Sequence, residues 1–209
     1  NFAGRLLRNR LYQVNDLVND ATYADDIDDM GTFDNNVNSI NTANNYGYDG
    51  EGRLTRDDQE EIENIIWRVD GKVKMIKRQA TSQKNNLSFD YNPMGQRTAK
   101  HVYTRNDELL SSTYYILDAQ GNVMSTYNLH IDTVNTSLDF YQAEKHIYGS
   151  SRLGMLKDSV NVLGSAYGNT DSSNVIHALG NKRYELSNHL GNVLTVITDK
   201  PIPHNNGGT

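Results

Sequence analysis

Tyr48-Asp49-Gly50-Glu51-Gly52-Arg53-Leu54 is the stretch from which the fold is read. An aromatic residue precedes Asp, two free positions follow, and then come Gly, a polar residue and an apolar one. Asp at the first turn position accepts hydrogen bonds from backbone N–H groups a few residues on. Gly at the fourth supplies φ > 0, which closes a type I turn with a bulge between antiparallel strands. The same frame recurs at Tyr91-Asn92-Pro93-Met94-Gly95-Gln96-Arg97, Leu117-Asp118-Ala119-Gln120-Gly121-Asn122-Val123 and Ser187-Asn188-His189-Leu190-Gly191-Asn192-Val193. Trp67-Arg68-Val69-Asp70-Gly71-Lys72-Val73 is a weaker cousin, and the acidic Ile27-Asp28-Asp29-Met30-Gly31-Thr32-Phe33 fits as well.

From Gly31 to Gly121 these glycines are spaced by roughly 20 to 26 residues, the length of one supersecondary unit. The flanks alternate as half-buried strands do: Leu87, Phe89 and Tyr91 on one face, and Val123, Ser125, Tyr127 and Leu129 on one face, as are Val73 and Met75. Two segments carry helical spacing instead. Leu7, Leu11, Val14 and Val18 form one, and Ile62, Ile65 and Ile66, behind the acidic run 57–63, form the other. The β-branched and aromatic Ile65-Ile66-Trp67-Arg68-Val69 leads into a turn, so strands are preferred. The expected fold is all-β: consecutive antiparallel hairpins in a curved strip over residues 1–200. The tail 201–209 then reads as a linker or frayed end, and 34–45, 135–137 and 164–174 as loops. The turn formers Asp49, Gly52, Asn92, Gly95, Asp118, Gly121, Asn188 and Gly191 are the residues expected to matter most. Tyr48, Trp67, Phe89, Tyr91, Tyr127 and Tyr148 are expected to pack.

Composition agrees. Only 36% of the 209 residues are hydrophobic, with 13 Tyr against 4 Phe and 1 Trp, and about one residue in eight is Asn. Tyr packs its ring and keeps its hydroxyl wet, and Asn tolerates left-handed turns. Thin cores and many turns follow. The net charge of -6, with basic residues scattered, argues against nucleic acid as a partner. No apolar run is long enough to insert in a membrane. The absence of Cys excludes disulfides, thiolate metal sites and a cysteine nucleophile. The chain opens mid-pattern at Asn1-Phe2-Ala3-Gly4-Arg5 and reads as a piece of something longer.

The first copy resembles the YD repeat. Ile147-Tyr148-Gly149-Ser150-Ser151-Arg152-Leu153-Gly154 and Tyr184-Glu185-Leu186-Ser187-Asn188-His189-Leu190-Gly191-Asn192-Val193-Leu194 resemble the RHS repeat-associated core, in the style common among Bacteroidota. The likeness runs from about Asn9 to Asp199. Asn92 stands where Asp is usual, Leu117 where Tyr is usual, and Ser187-Asn188 replace a Tyr-Asp pair; these swaps keep the turn chemistry. The resemblance implies a β-strip wound into a hollow shell, secreted or on the cell surface, commonly enclosing a C-terminal toxin-like domain. It implies as partners the remainder of the same polypeptide, that cargo, and an outer-membrane export translocon or surface proteins. The chain stops near Thr209, before the Asp-Pro-type segment at which such proteins can cut themselves, so neither self-cleavage nor a toxin is assigned here.

Candidate chemistry is sparse. Asp25, Asp26, Asp28 and Asp29 suggest a calcium loop, but counting from Asp26 the fifth position is Met30 and the twelfth Val37, so the EF-hand pattern fails and a solvated acidic turn is expected. Asp57, Asp58, Glu60, Glu61 and Glu63 could supply paired acids for glycoside chemistry, which needs a cleft, and they read as an exposed charged segment. His101, His130, His146, His177, His189 and His204 are dispersed with no His-Glu-x-x-His spacing, and His189 is expected to support its turn. Gly149-Ser150-Ser151-Arg152-Leu153-Gly154 lacks the P-loop Lys and reads as a strand corner with a bulge. Asn86-Leu87-Ser88 and Asn135-Thr136-Ser137 match the N-glycosylation sequon by chance frequency, and Asp132-Thr133-Val134 and Asp158-Ser159-Val160 resemble a short O-glycosylation motif. No cofactor, metal or catalytic residue is expected. The alternative to a passive shell is a surface adhesion or carbohydrate-binding module using exposed Tyr rings and Asn side chains. An enzyme would need two carboxylates, or His with a partner, converging in a deep pocket.

Overall fold

A computed structural model describes residues 9–14, 44–132, 137–162 and 179–200, apart from the side chains of Asp158 and Ser159. The Leu7–Val18 pattern beyond 9–14, the acidic copy at 27–33, the Asp25–Asp29 cluster, most of the Asn-rich loop, residues 133–136 and 163–178, His177, His204 and the tail 201–209 lie outside the described residues.

Every regular element described is a strand: β1 (Tyr46–Tyr48), β2 (Leu54–Asp57), β3 (Ile62–Trp67), β4 (Val73–Arg78), β5 (Asn86–Tyr91), β6 (Arg97–Tyr103), β7 (Leu109–Leu117), β8 (Val123–Asp132), β9 (Ser137–Tyr148), β10 (Arg152–Asn161), β11 (Lys182–Ser187) and β12 (Val193–Thr198). The twelve form a sheet in which spatial order equals chain order. The all-β, hairpin-by-hairpin reading therefore holds. Residues 62–67, with their mixed signal, form a strand. Helical spacing over three residues cannot outweigh β-branched side chains that also pair across Ile65↔Ile76 and Ile66↔Met75. Residues 9–14 are neither strand nor helix.

The hairpins carry a detail that strict alternation misses. In β1/β2, β3/β4, β7/β8 and β11/β12 the register slips once near the turn: Leu117 faces Val123 but Ile116 faces Ser125, Trp67 faces Val73 but Ile66 faces Met75, Tyr48 faces Leu54 but Gly47 faces Arg56, and Ser187 faces Val193 but Leu186 faces Thr195. The unpaired residues are Thr55, Lys74, Met124 and Leu194, each three positions beyond the turn glycine. A bulge puts two residues against one and moves side chains to the other face. Val123, paired with Leu117, therefore lies on the face opposite Ser125, Tyr127 and Leu129. Val73 and Met75 likewise part, which corrects their expected shared faces.

Contacts divide the chain into two units. The first spans Asn1–Phe89 and Val102–Glu108. Its fully or nearly fully buried residues include Ile62 and Ile65, but also Asn44, Asn45, Ser82 and Asn86. The polar ones are hydrogen-bonded, as burial demands. Asn45 Oδ1 accepts from the N–H groups of Asp58 (2.9 Å) and Gln59 (3.0 Å), and Asn86 Oδ1 accepts from Arg78 N–H at 2.8 Å. Ser82 donates to Glu61 Oε2 at 2.6 Å. Residues 9–14 lie along β1: Tyr46 N–H donates to Tyr12 O at 3.2 Å, Tyr48 OH donates to Leu11 O at 2.6 Å, and the Tyr12 and Tyr48 rings meet edge to face. Trp67 is only half-buried; its Nε1 donates to Leu54 O at 2.8 Å and Arg53 lies over its ring.

The second unit spans Asp90–His101 and Leu109–Thr209. Here strands reach up to 12 residues, in β9. Longer ladders allow cross-strand rows of side chains, each pair contributing about 0.2–1 kcal/mol. One face of β7–β9 carries Tyr114, Ile116, Tyr127, Leu129, Leu138 and Phe140, which line an apolar hollow of ≈ 760 Å³. Rings pack across it: Tyr127 stacks on Phe140 at 5.8 Å, Tyr114 meets Phe140 edge-on at 6.2 Å, and His101 meets Tyr114 edge-on at 5.9 Å. The opposite face carries Tyr115, Thr126, Asn128, Tyr141 and Glu144.

Candidate functional site

The turn residues are placed by one repeated pattern of hydrogen bonds. Asp49 N–H donates to Arg53 O at 3.0 Å and Gly52 N–H to Asp49 O at 3.1 Å, while Asp49 Oδ1 accepts from the N–H groups of Glu51 and Arg53. Asp118 repeats this with Asn122 O, Gly121 N–H and the N–H groups of Gln120 and Asn122. Asn188 repeats it with Asn192 O, Gly191 N–H and the N–H groups of Leu190 and Asn192. Asn92 does so with Gln96 O and Gly95 N–H, its Oδ1 accepting from Gln96 N–H at 2.9 Å. The fourth-position glycines Gly52, Gly95, Gly121 and Gly191 have φ of 90, 76, 91 and 84°. Only glycine takes that conformation without a Cβ penalty. His189 is exposed in its turn, and the turn's side-chain bonds come from Asn188.

In the weaker cousin Arg68 occupies the first position, and the missing carboxylate comes from Asp70, whose side chain takes the Arg68 guanidinium at 3.1 Å and Lys72 N–H at 3.4 Å. Two further turns use the same backbone closure without glycine. Glu61 N–H bonds Asp58 O with Glu61 at φ 53°, and Asp107 N–H bonds Thr104 O with Asp107 at φ 61°. Thr104 Oγ1 accepts Glu108 N–H at 3.1 Å, as the Asx side chain does elsewhere.

Electrostatics follow from these bonds. For Asp118 the Asn122 side-chain amide and backbone N–H stabilise the carboxylate and hold its pKa below the usual range. For Asp49 partial desolvation pulls upward, but the Arg53 hydrogen bonds and charge outweigh it, and the pKa is lowered.

The acidic run does not converge. Asp57 is raised, chiefly by burial; Asp58 pairs with Arg56 at 3.3 Å and takes the Gln79 amide; Glu60 takes Lys84 at 2.9 Å and is lowered mainly by that bond; Glu61 takes Ser82. Asp58, Glu60 and Glu61 serve separate partners that tie the 58–61 loop to the 79–84 loop. Among the described residues no three His, Asp or Glu side chains are grouped to hold a metal.

Ser112, His101 and Asp90 do come together: His101 Nδ1 lies 2.8 Å from Ser112 Oγ and Nε2 lies 3.1 Å from Asp90 Oδ2. The residue types are those of an acyl-transfer triad. The ring, however, is reversed relative to that arrangement, in which Nε2 faces the serine. Ser112 is also only 2% exposed, whereas a nucleophile must reach substrate. The trio spans β5, β6 and β7 and pins them together.

The His146 side chain is 8% exposed, with Glu144 Oε2 3.7 Å from Nε2 and the Tyr148 ring stacked at 6.4 Å. Among the described residues neither ring nitrogen has a hydrogen-bond partner. Burial, and then the Arg152 charge, push its pKa down against the opposing pull of Glu144 and Glu185. Nearby, Arg152 donates to Glu185 Oε1 at 2.7 Å, joining β10 to β11. Gly154, in the corner segment 149–154, lies at a bulge where β10 meets β9. A Cβ there would sit 2.0 Å from Arg183 O on β11. The corner glycine is thus needed for close approach of two backbones, a contact that the sequence pattern does not reveal.

The polar face of the second unit forms a groove of ≈ 700 Å³. Cross-strand pairing aligns two rows along it: Tyr115–Thr126–Glu144–Lys157, and Thr113–Asn128–Tyr141. Arg183 joins from β11. Among the described residues the Tyr115 and Tyr141 rings are not stacked on another aromatic, and neither Lys157 nor Arg183 forms an ion pair. Sequence reasoning named exposed Tyr and Asn in general but none of these groove positions, because only the sheet register brings them together.

The chain matches no protein-family model and no curated protein.

Proposed function

We propose that this chain is a non-catalytic structural segment of a large secreted RHS/YD-repeat protein, one stretch of a β-shell that carries a C-terminal domain. The observation supporting this most is the reuse of one hairpin unit: the same backbone closure and the same Asx side-chain bonds at turns 49–52, 92–95, 118–121 and 188–191. A serial array of this kind shares its core between neighbours, so that each unit is stable only in the array. Two chemistries of the described surface fit a passive role: the buried Ser112 cluster holds strands, and the acidic run holds loops. The test is limited proteolysis of the natural protein with its flanking sequence. A carrier shell leaves the downstream domain protease-resistant until the shell is unfolded. Equal digestion of that domain with and without the repeat region would contradict the reading.

A second reading is favoured by one observation. The groove presents two tyrosine rings together with Asn128 and Thr113 on a surface open to solvent, the combination a carbohydrate-binding module uses to stack on sugar rings and bond hydroxyls. Retention of the full 209-residue chain on a glycan array, lost in Tyr141→Leu, would support it, and an array without signal would remove it.

A further inference from the structure

We infer that the groove on the β7–β11 face is a binding site for an acidic oligosaccharide, one bearing carboxylate or sulfate groups along its length. The inference rests on the carbohydrate-binding reading above and deepens it by naming the ligand class. Three observations carry it.

The first is the distribution of tyrosines between the two faces of β7–β9. On the apolar face Tyr114 and Tyr127 are committed to ring contacts with Phe140 and His101. On the groove face Tyr115 and Tyr141 are half-buried and have no such contact among the described residues. A ring packed at its base with an uncovered surface is a stacking platform for a flat, weakly polar partner. The neighbouring Asn128 and Thr113 offer donors and acceptors beside those rings.

The second is charge. Lys157 and Arg183 are exposed and unpaired among the described residues, and the lining holds a single carboxylate, Glu144. Two cations against one anion make this a locally positive strip on a chain of net charge -6. The net negative charge of the chain repels an anion, whereas the local positive charge of the groove attracts one. Arg adds the planar fork that pairs with carboxylate or sulfate oxygens.

The third is length. Tyr115 on β7 and Lys157 on β10 end one cross-strand row. Three inter-strand steps of ~4.8 Å separate them by about 14 Å, so rings and cations engage different residues of a short chain rather than one monosaccharide. This selects an oligomer over a monosaccharide, with acidic groups where it meets β10 and β11.

The experiment is titration calorimetry on the 209-residue chain with a galacturonate hexamer, a sulfated hexasaccharide and a neutral glucose hexamer. The parent is compared with Lys157→Gln/Arg183→Gln and with Tyr141→Leu. Circular dichroism first checks that the variants keep the parent's β signal; the cation variant alters only exposed side chains that form no ion pair among the described residues. The expected result is binding of one or both acidic hexamers at least tenfold tighter than the neutral one. That margin should be lost in the double glutamine variant and should shrink as salt rises. Binding of the acidic hexamers unaffected by the double glutamine substitution would overturn the assignment of the groove. Equal affinity for acidic and neutral hexamers would overturn the inference while leaving the carbohydrate reading standing. No binding by any hexamer would overturn both.

Discussion

Eight of the described loops of this sheet fall into two kinds. Those joining β1 to β2, β3 to β4, β5 to β6, β7 to β8 and β11 to β12 all place glycine at the left-handed position, four of them after Asp or Asn. Those joining β2 to β3 and β6 to β7 close the same backbone bond with Glu61 and Asp107 in that conformation, while the 79–82 loop between β4 and β5 uses Ser82. Geometry is thus shared and chemistry is not. In the glycine loops the backbone relaxes into its turn, and the Asx side chain satisfies the N–H groups. In the 58–61 and 104–107 loops a strained residue is held by its surroundings: Glu61 by Ser82, and the 104–108 turn by Thr104 together with the pairing of Asp107 with Lys77 at 3.8 Å. Strain can be tolerated where tertiary bonds fix it, and it is avoided where the loop must close on its own.

Substitutions sharpen or break this contrast. The largest effect belongs to a glycine kept for space as well as for its φ of 158°. Gly154→Ala must push β10 from the Arg183 carbonyl, and a loss of about 3 kcal/mol is expected in urea unfolding of the second unit. A change below about 1 kcal/mol would mean that the strands part easily. Next, Gly121→Val should cost about 2 kcal/mol, because a β-branched residue at φ 91° is strained and its Cβ would also displace the Gln96 amide.

Acid separates the Asp loops from the Asn loops. Asp118 is more acidic folded than unfolded, so its contribution is present above the unfolded pKa of about 3.9 and lost as pH falls through the folded value. Asp118→Asn should keep the turn, as Asn92 and Asn188 do, and should flatten the stability profile below about pH 4; an unchanged profile would place the acid-labile group elsewhere. His146 acts in a higher window. Its folded pKa is depressed, so the unfolded chain binds the proton first, and stability falls as pH drops through the unfolded value of about 6.5. His146→Phe should remove that slope in melts between pH 7.5 and 5.5. The smallest effect is expected from Asp107→Gly, which relieves φ 61° but gives up the Lys77 pair: a gain of at most about 1 kcal/mol.

The all-β character was legible because period-two alternation and turn chemistry agreed over most of the chain. Loops of the second kind were not, since Asp58-Gln59-Glu60-Glu61 and Thr104-Arg105-Asn106-Asp107 lack the glycine that marks a reversal. A Thr or Asp three places before a polar residue was the only signal. Face assignments failed at Val123 and Val73 for a different reason: bulges at Met124 and Lys74 add a residue that parity counting cannot see. The half-buried Trp67 and Tyr148 place polar tips on the carbonyls of Leu54 and Val123, while Asn45, Asn86 and Ser112 are buried more deeply than either. Hydrophobicity cannot rank residues whose burial depends on a hydrogen-bond partner distant in sequence. The groove was hidden likewise, since Tyr115, Tyr141 and Lys157 meet only through the pairing of four strands.

Gly191 offers the most direct test of chain reversal by a left-handed fourth residue, because a Cβ there meets nothing within 4 Å. Only the backbone can object to a methyl group at that position. Urea unfolding of Gly191→Ala should show a loss of about 1 kcal/mol, with Gly191→Asn losing less. If alanine instead stabilised the protein, as it does where glycine has an ordinary negative φ, the hairpin account would be contradicted.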